Sequence, residues 1–407
     1  MSNCDTSTTV LSKEELSAEA TPRTRCYRSL VAYWILGLCN NYGYVVMLTA
    51  ASDIIGESSE ANSKSKVREN CTYMSTGAIL LADILPGLIA KSLAPFIPFF
   101  VHIRVILCVI LAAAGFLAVA FGGTIFISIL GVVLTSFSSG LGEVTYLQYS
   151  SFYHKTVISS WSSGTGGAGV IGSLSYALLQ QLGLQTTLLI MLVIPALMCI
   201  SFWIILPKPS KDDIALALEI QRKVNEEELT NPKETIIRKL KLIPGLLKYM
   251  IPFGLVYLFE YFINQGTFEI IQFENFWLST SSQYRWLQVT YQVGVFISRS
   301  SVNFWHIKQT WIMAVFQGIN VIIFTTEAIY YYIPSFYIVV ALVLWEGLLG
   351  GSSYVNTYYR ITNEVAPENK QFSMAITGFA DSAGISLAGI FAILAHNAIC
   401  NIPLPGR

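Results

Sequence analysis

The chain has 407 residues, 53% hydrophobic and only 12% charged, with 25 Lys plus Arg against 25 Asp plus Glu. A soluble domain carries roughly 25% charged residues. The composition therefore excludes an ordinary soluble enzyme, and the neutral balance excludes the basic footprint of a nucleic-acid binder.

Residues 1–28 are polar and lack the apolar core of a signal peptide, and Ser2 rules out N-myristoylation. The first apolar stretch, 29–52, reads as an uncleaved transmembrane helix, since about 20 apolar residues cross a bilayer. Ten more follow, at roughly 74–92, 97–121, 124–148, 157–181, 185–206, 249–271, 285–303, 310–332, 334–356 and 372–396. The predicted fold class is all-α, a polytopic membrane protein of about 11 transmembrane helices. The expected organisation is a cytosolic N-terminal tail (1–28), a six-helix bundle (29–206), a cytosolic linker (207–248), a five-helix bundle (249–396) and a C-terminal tail (397–407).

Cytoplasmic loops of membrane proteins are enriched in Lys and Arg. With the N-terminus in the cytosol, 20 of the 25 bases fall on the cytosolic face and five on the other. The loop 53–73 then lies outside the cytosol with the sequon Asn70-Cys71-Thr72, a glycosylation acceptor. The loop 207–248, with nine basic and seven acidic residues, is expected to be a solvated linker.

The two bundles share sequence. Thr165-Gly166-Gly167-Ala168-Gly169-Val170-Ile171-Gly172 in span five and Thr377-Gly378-Phe379-Ala380-Asp381-Ser382-Ala383-Gly384 in span eleven both read T-G-x-A-x-x-x-G. Asn41-Tyr42-Gly43 in span one parallels Asn264-Gln265-Gly266 in span seven. A parallel six-helix repeat is the pattern of the major facilitator fold, here lacking its twelfth helix. Gly164, Gly166, Gly167, Gly169, Gly378 and Gly384 are expected to let helices pack closely.

An ionisable side chain at the bilayer centre costs about 2.5–3.5 kcal/mol or more, and such residues face an interior, a partner or a water-filled cavity. Five acids sit deep in spans: Asp83, Glu143, Glu260, Glu346 and Asp381. Glu269 and Glu327, near helix ends, are expected to reach water. The embedded bases are Arg104 and Arg299, with His102 close by. Carboxylates in a low-dielectric cavity can exchange protons with the solution, the chemistry of proton coupling. The competing role for each is a hydrogen bond or charge pair that locks the bundle. Thr165, Asn264 and Gln265 could supply neutral hydrogen bonds, and an anionic substrate would need Arg299, Arg104 or His102.

No HExxH, GxSxG or P-loop string occurs, so the protein is not expected to be an enzyme. His102, His154, His306 and His396 show no ligand spacing, and no metal or cofactor is expected. The seven cysteines (Cys4, Cys26, Cys39, Cys71, Cys108, Cys199, Cys400) form no CxxC pair, and neither a disulfide framework nor a zinc site is expected.

Longer strings point to a family. They are Cys39-Asn40-Asn41-Tyr42, Leu80 with Ala82-Asp83-Ile84-Leu85-Pro86, Ser138-Ser139-Gly140-Leu141-Gly142-Glu143, Trp161-Ser162-Ser163-Gly164-Thr165, Tyr261-Phe262-Ile263-Asn264-Gln265-Gly266, Ser298-Arg299-Ser300-Ser301 and Glu346-Gly347-Leu348-Leu349-Gly350-Gly351. With these the chain resembles the battenin family over roughly residues 30–400. The resemblance implies a lysosomal or late-endosomal membrane protein of major-facilitator-like fold. It further implies a role in glycerophosphodiester efflux, lysosomal pH and basic amino-acid homeostasis. Two family features are weak here. Cys400 stands too far from the end for a prenylation box, and Glu226-Glu227-Glu228 precedes Ile236-Ile237 by an imperfect spacing for a sorting signal.

The reading is an alternating-access transporter. Its substrate would be a small molecule, such as an anionic phosphodiester, with protons a second ligand and the bilayer its solvent. The cavity is expected among spans one, four, five, seven, ten and eleven. Glu143, Glu260, Glu346, Asp381 and Asp83 are its protonation or substrate residues. The alternative is a non-transporting scaffold for endosome–lysosome trafficking, which would bind adaptors through 207–248.

Overall fold

The computed structural model describes residues 22–58, 71, 74–94, 100–153, 156–209, 232–300 and 307–403. Asn70, His154, His306 and Cys4 lie outside the described residues. The described chain is helical, with no strand. The helices are α1 (Pro22–Thr49), α2 (Ala51–Ser58), α3 (Thr76–Leu93), α4 (Val101–Ala120), α5 (Ile125–Tyr149) and α6 (Thr156–Leu179). Then come α7 (Leu184–Ile190), α8 (Val193–Ile200), α9 (Pro232–Gly266), α10 (Thr280–Ser300), α11 (Thr310–Tyr330), α12 (Phe336–Glu364) and α13 (Pro367–Cys400).

Among the described residues, nine helical stretches are long and apolar enough to cross a membrane. The two other expected spans are α6 and α10. Their interiors are diluted by glycine and serine in α6, and by Gln283, Arg285 and Gln288 in α10. Those three α10 side chains are buried, so they face protein rather than lipid. The lipid-facing surface carries large apolar groups such as Phe126 and Ile204, 74% and 67% exposed. An all-helical span satisfies its own backbone hydrogen bonds, the condition for crossing hydrocarbon.

Local chemistry sets several helix starts. Ser75 caps α3, its hydroxyl accepting from the Gly77 N–H at 3.1 Å. Pro367 opens α13, where a missing N–H costs nothing. The sixth span is not one helix: it breaks at Leu192 into α7 and α8 and ends in a short π-helical stretch, Ser201–Ile205. The seventh begins earlier than hydropathy indicates. α9 starts at Pro232, so its first turns run through sequence expected to be linker.

The same packing scheme recurs in both parts of the chain. α1 packs on α6 as α9 packs on α13, and α3 packs on α5 as α10 packs on α12. Some of the glycines expected to pack helices sit in these contacts. A Cβ on Gly164 would meet the Trp34 carbonyl oxygen of α1, and one on Gly384 the Gly254 carbonyl oxygen of α9. Gly167 faces the Trp34 ring, Gly169 the Gln292 side chain and Gly378 the Tyr358 hydroxyl, whereas Gly166 meets nothing within 4 Å. The two parts meet where α6 packs on α10 and α3 on α13.

Two expectations are overturned. Cys71 and Cys400, 329 residues apart in sequence, form a disulfide that joins the segment before α3 to the end of α13. Sequence spacing carried no sign of it, because only the fold brings the two thiols together. Glu269 and Glu327 do not reach water: they are 7% and 1% exposed. Glu269 accepts from Ser75 and Thr76, and Glu327 accepts from the Ile333 N–H at 2.8 Å.

Candidate functional site

A cavity of about 330 Å³ lies between the two helix groups. α1, α3, α5 and α6 line it on one side and α9, α10, α12 and α13 on the other. Its deep end is crossed by Tyr44 of α1 and Tyr261 of α9, whose hydroxyls are 3.2 Å apart. From there the lining runs to Lys91, Leu147, Ile158 and Arg299, all close to the helix ends remote from the disulfide. The site therefore faces the end of the bundle opposite Cys71–Cys400.

Its charges are few and unevenly paired. Lys91 Nζ lies 2.6 Å from Glu143 Oε2, linking α3 to α5 at the mouth. Arg299 stacks over the Tyr354 ring, 4.3 Å from its centre, and one guanidinium nitrogen donates to the Tyr257 hydroxyl at 3.4 Å. Its Nε has no hydrogen-bond partner among the described residues. Asp83 is 2% exposed, and neither of its carboxylate oxygens has a partner among the described residues. Leaving a buried polar group unsatisfied costs about 1–3 kcal/mol and more for a charged one. Such a group calls for an explanation, and a functional role or a bound water or ion is among those that proteins show. Asp381, across the cavity, accepts from its neighbour Ser382 at 3.0 Å. Thr165 also lines the cavity, its hydroxyl turned back onto the Ser162 carbonyl at 2.8 Å.

The structure thus brings Asp83, Glu143, Asp381, Thr165 and Arg299 together. It also adds spans two and eight to the expected lining helices, and Lys91, which sequence reasoning passed over because it stands at a helix end. Other expected residues lie elsewhere. Glu260 (2% exposed) and Glu346 (0%) are buried behind the lining. Glu260 accepts from the Tyr291 hydroxyl at 2.8 Å and abuts Gly350, one turn from Glu346 on the same face of α12. Glu346 has no hydrogen-bond partner among the described residues. Arg104 is a structural residue, donating to the Ala94 carbonyl and to Gln148. His102 is exposed and accepts from Trp203, against a separate aromatic depression. Among the described residues no His, Cys, Asp or Glu cluster could hold a metal ion.

Asn264 and Gln265 belong to the closed end instead. There Gln265 accepts from the Tyr284 hydroxyl and, through its carbonyl, from Thr76. The Asn264 carbonyl accepts from Gln288. Arg285, the first residue of the expected eighth span, reaches both oxygens of Asp53 at 2.6 and 2.8 Å, and Tyr176 donates to the same carboxylate. Burial pushes the Asp53 carboxyl above its ordinary value, while the guanidinium and the phenol pull the other way. Tyr284 donates to the Leu48 carbonyl at 2.9 Å. On the α3–α13 side Glu269 takes hydrogen bonds from Ser75 (2.9 Å) and the Thr76 N–H (3.0 Å), with His396 Nδ1 2.8 Å away. A cavity open at one end and sealed by contacts between the two helix groups at the other is the arrangement of an alternating-access carrier.

Solved structures share this architecture. A D-xylose–proton symporter aligns with a TM-score of 0.60 at 11% identity, covering 93% of this chain and 98% of that one. A bacterial homolog of the human lysosomal transporter Spinster, in an inward-facing unoccupied conformation, aligns with a TM-score of 0.62 at 14% identity, covering 92% and 83%. The fold is thus the major facilitator fold that these structures share, and the protein is a multi-pass membrane protein. Within that class the chain belongs to the CLN3 protein family, whose profile matches residues 31–235 and 215–402. Battenin of Canis lupus familiaris is 41% identical over 96% of both chains. Protein btn1 of Aspergillus fumigatus is 35% identical over 92% of this chain and 88% of its own.

Proposed function

We propose that the protein moves a small polar solute across a lysosomal or late-endosomal membrane by alternating access, with its N-terminus in the cytosol. The asymmetry of Lys and Arg supports the orientation. On that orientation the disulfide lies in the lumen, an oxidising location where such a bond persists, and the cavity faces the cytosol.

The observation that carries the reading is the pairing of Arg299 and Asp83 in one cavity. Each contributes polar atoms that no described residue satisfies, and they come from opposite helix groups. Arg299 is the binding group for an anionic solute, and a glycerophosphodiester, the substrate type implied by the battenin resemblance, has the right charge. Asp83, with Asp381 and Glu143, can take up a proton or a cationic group of the solute. Glu260 and Glu346, packed behind the lining, are a second place for protons.

The test is uptake into proteoliposomes containing the purified protein, with glycerophosphodiesters offered on the cytosolic face. The reading expects saturable uptake that is lost in Arg299→Gln and altered in its proton dependence by Asp83→Asn. Uptake at the wild-type rate in both variants would contradict it.

A further inference from the structure

Two sets of contacts close the bundle at the disulfide end, and they differ in kind. On one side α3 packs on α13, Ser75 and Thr76 donate to Glu269 just after α9, Glu269 lies 2.8 Å from His396 of α13, and the Cys71–Cys400 disulfide makes this side covalent. On the other side, among the described residues, stands the hydrogen-bonded ion pair of Asp53 on α2 with Arg285 on α10, joined by Tyr176 and by the Tyr284–Leu48 bond and with no covalent link. Each set joins the first helix group to the second, so an opening at this end must part at least one of them.

The covalent set cannot part far. Cys71 precedes the Ser75 cap by four residues, which reach at most about 14 Å when fully extended. Cys400 is the last residue of α13. The ion pair has no such tether. Both its partners are buried, at 7% and 5% side-chain exposure, so water entering between the helix groups would hydrate both charges and offset the loss of the contact. We infer that Asp53–Arg285 is the gate through which the cavity is reached from the disulfide face, and that Cys71–Cys400 is the strap about which that gate swings. The inference rests on the alternating-access reading and adds where the second opening forms.

Distances between spin labels test it directly. Labels on p-acetylphenylalanine leave the cysteines untouched. One pair, at the exposed positions Gly56 and Ser281, spans the ion-pair side; the other, at Met74 and Asn401, spans the strapped side. In Arg285→Gln, and in the isosteric Asp53→Asn, the first pair is expected to gain a population longer by more than a helix turn, about 5 Å. The second pair should keep its distance. In the unsubstituted chain, a membrane-impermeant reductant should lengthen the second pair.

Equal lengthening of both pairs in the variants, or no response of the second pair to reduction, would overturn the strap. A first pair that stays fixed in both variants while the second lengthens would overturn the gate and place the opening on the α3–α13 side. No movement of either pair under any condition would defeat the alternating-access reading itself and the gate with it.

Discussion

Lys91 and Glu143 form an ion pair of 2.6 Å at the mouth of the central cavity, each side chain 35% exposed. At that exposure the pair adds little to stability, about 1 kcal/mol or less. Its position explains it better: it ties α3 to α5 at the cavity mouth, beside the path a solute would take under the proposed function. Lys91→Ala is expected to leave thermal unfolding of the purified protein almost unchanged while lowering uptake at least tenfold. A large fall in melting temperature would assign the pair to the scaffold instead.

Asp83 gives the opposite expectation for stability. Its buried carboxylate has no partner among the described residues, so a neutral isostere removes the extra cost of burying a charge while leaving a polar group of the same shape in place. Asp83→Asn should therefore unfold at the same temperature as wild type or higher, yet lose the response of uptake to a pH gradient. Circular-dichroism melting and uptake at two pH values check the two halves of this statement.

Arg299 is held by its flat guanidinium against Tyr354 and by the Tyr257 hydroxyl. A lysine keeps the charge but neither the stacking plane nor the fork. Arg299→Lys is expected to raise KM for an anionic solute by an order of magnitude or more with a smaller change in maximal rate. Equal kinetics in the two proteins would remove Arg299 from the binding site.

The glycines of α6 allow a prediction about packing alone. A methyl on Gly164 would strike the backbone of α1, whereas one on Gly166 meets nothing within 4 Å. Overpacking costs about 1–3 kcal/mol. Gly164→Ala should reduce the yield and melting temperature of folded protein, and Gly166→Ala should not, as size-exclusion and melting measurements would show.

Hydropathy placed each of the eleven expected spans on helix, nine of these stretches long and apolar enough to cross a membrane among the described residues, and the last glycines of the T-G-x-A-x-x-x-G strings, Gly172 and Gly384, pack on α1 and α9. Boundaries failed where polar residues continue a helix beyond the hydrocarbon. α9 begins at Pro232 and runs on through Pro244 and Pro252, because helix formation does not require an apolar sequence there. The site was half legible. Asp83, Glu143 and Asp381 stand out as charges within apolar runs, and burial cost marks such residues in any sequence. Whether a buried carboxylate faces a cavity or a neighbouring helix depends on rotation about the helix axis, which separates Asp381 from Glu346. Lys91 and Arg285 read from the sequence only as bases that set the orientation, because bases near span ends normally snorkel to water. The disulfide was invisible because proximity across 329 residues belongs to the fold.

Transport itself is the central claim, and it is tested most directly by comparing the solute content of lysosomes purified from cells with and without the protein. The account predicts that one class of small polar solute accumulates when the protein is absent, and that Arg299→Gln, correctly targeted, fails to clear it. Unchanged solute content, with function lost only when residues 207–248 are deleted, would contradict transport and leave the trafficking scaffold in its place.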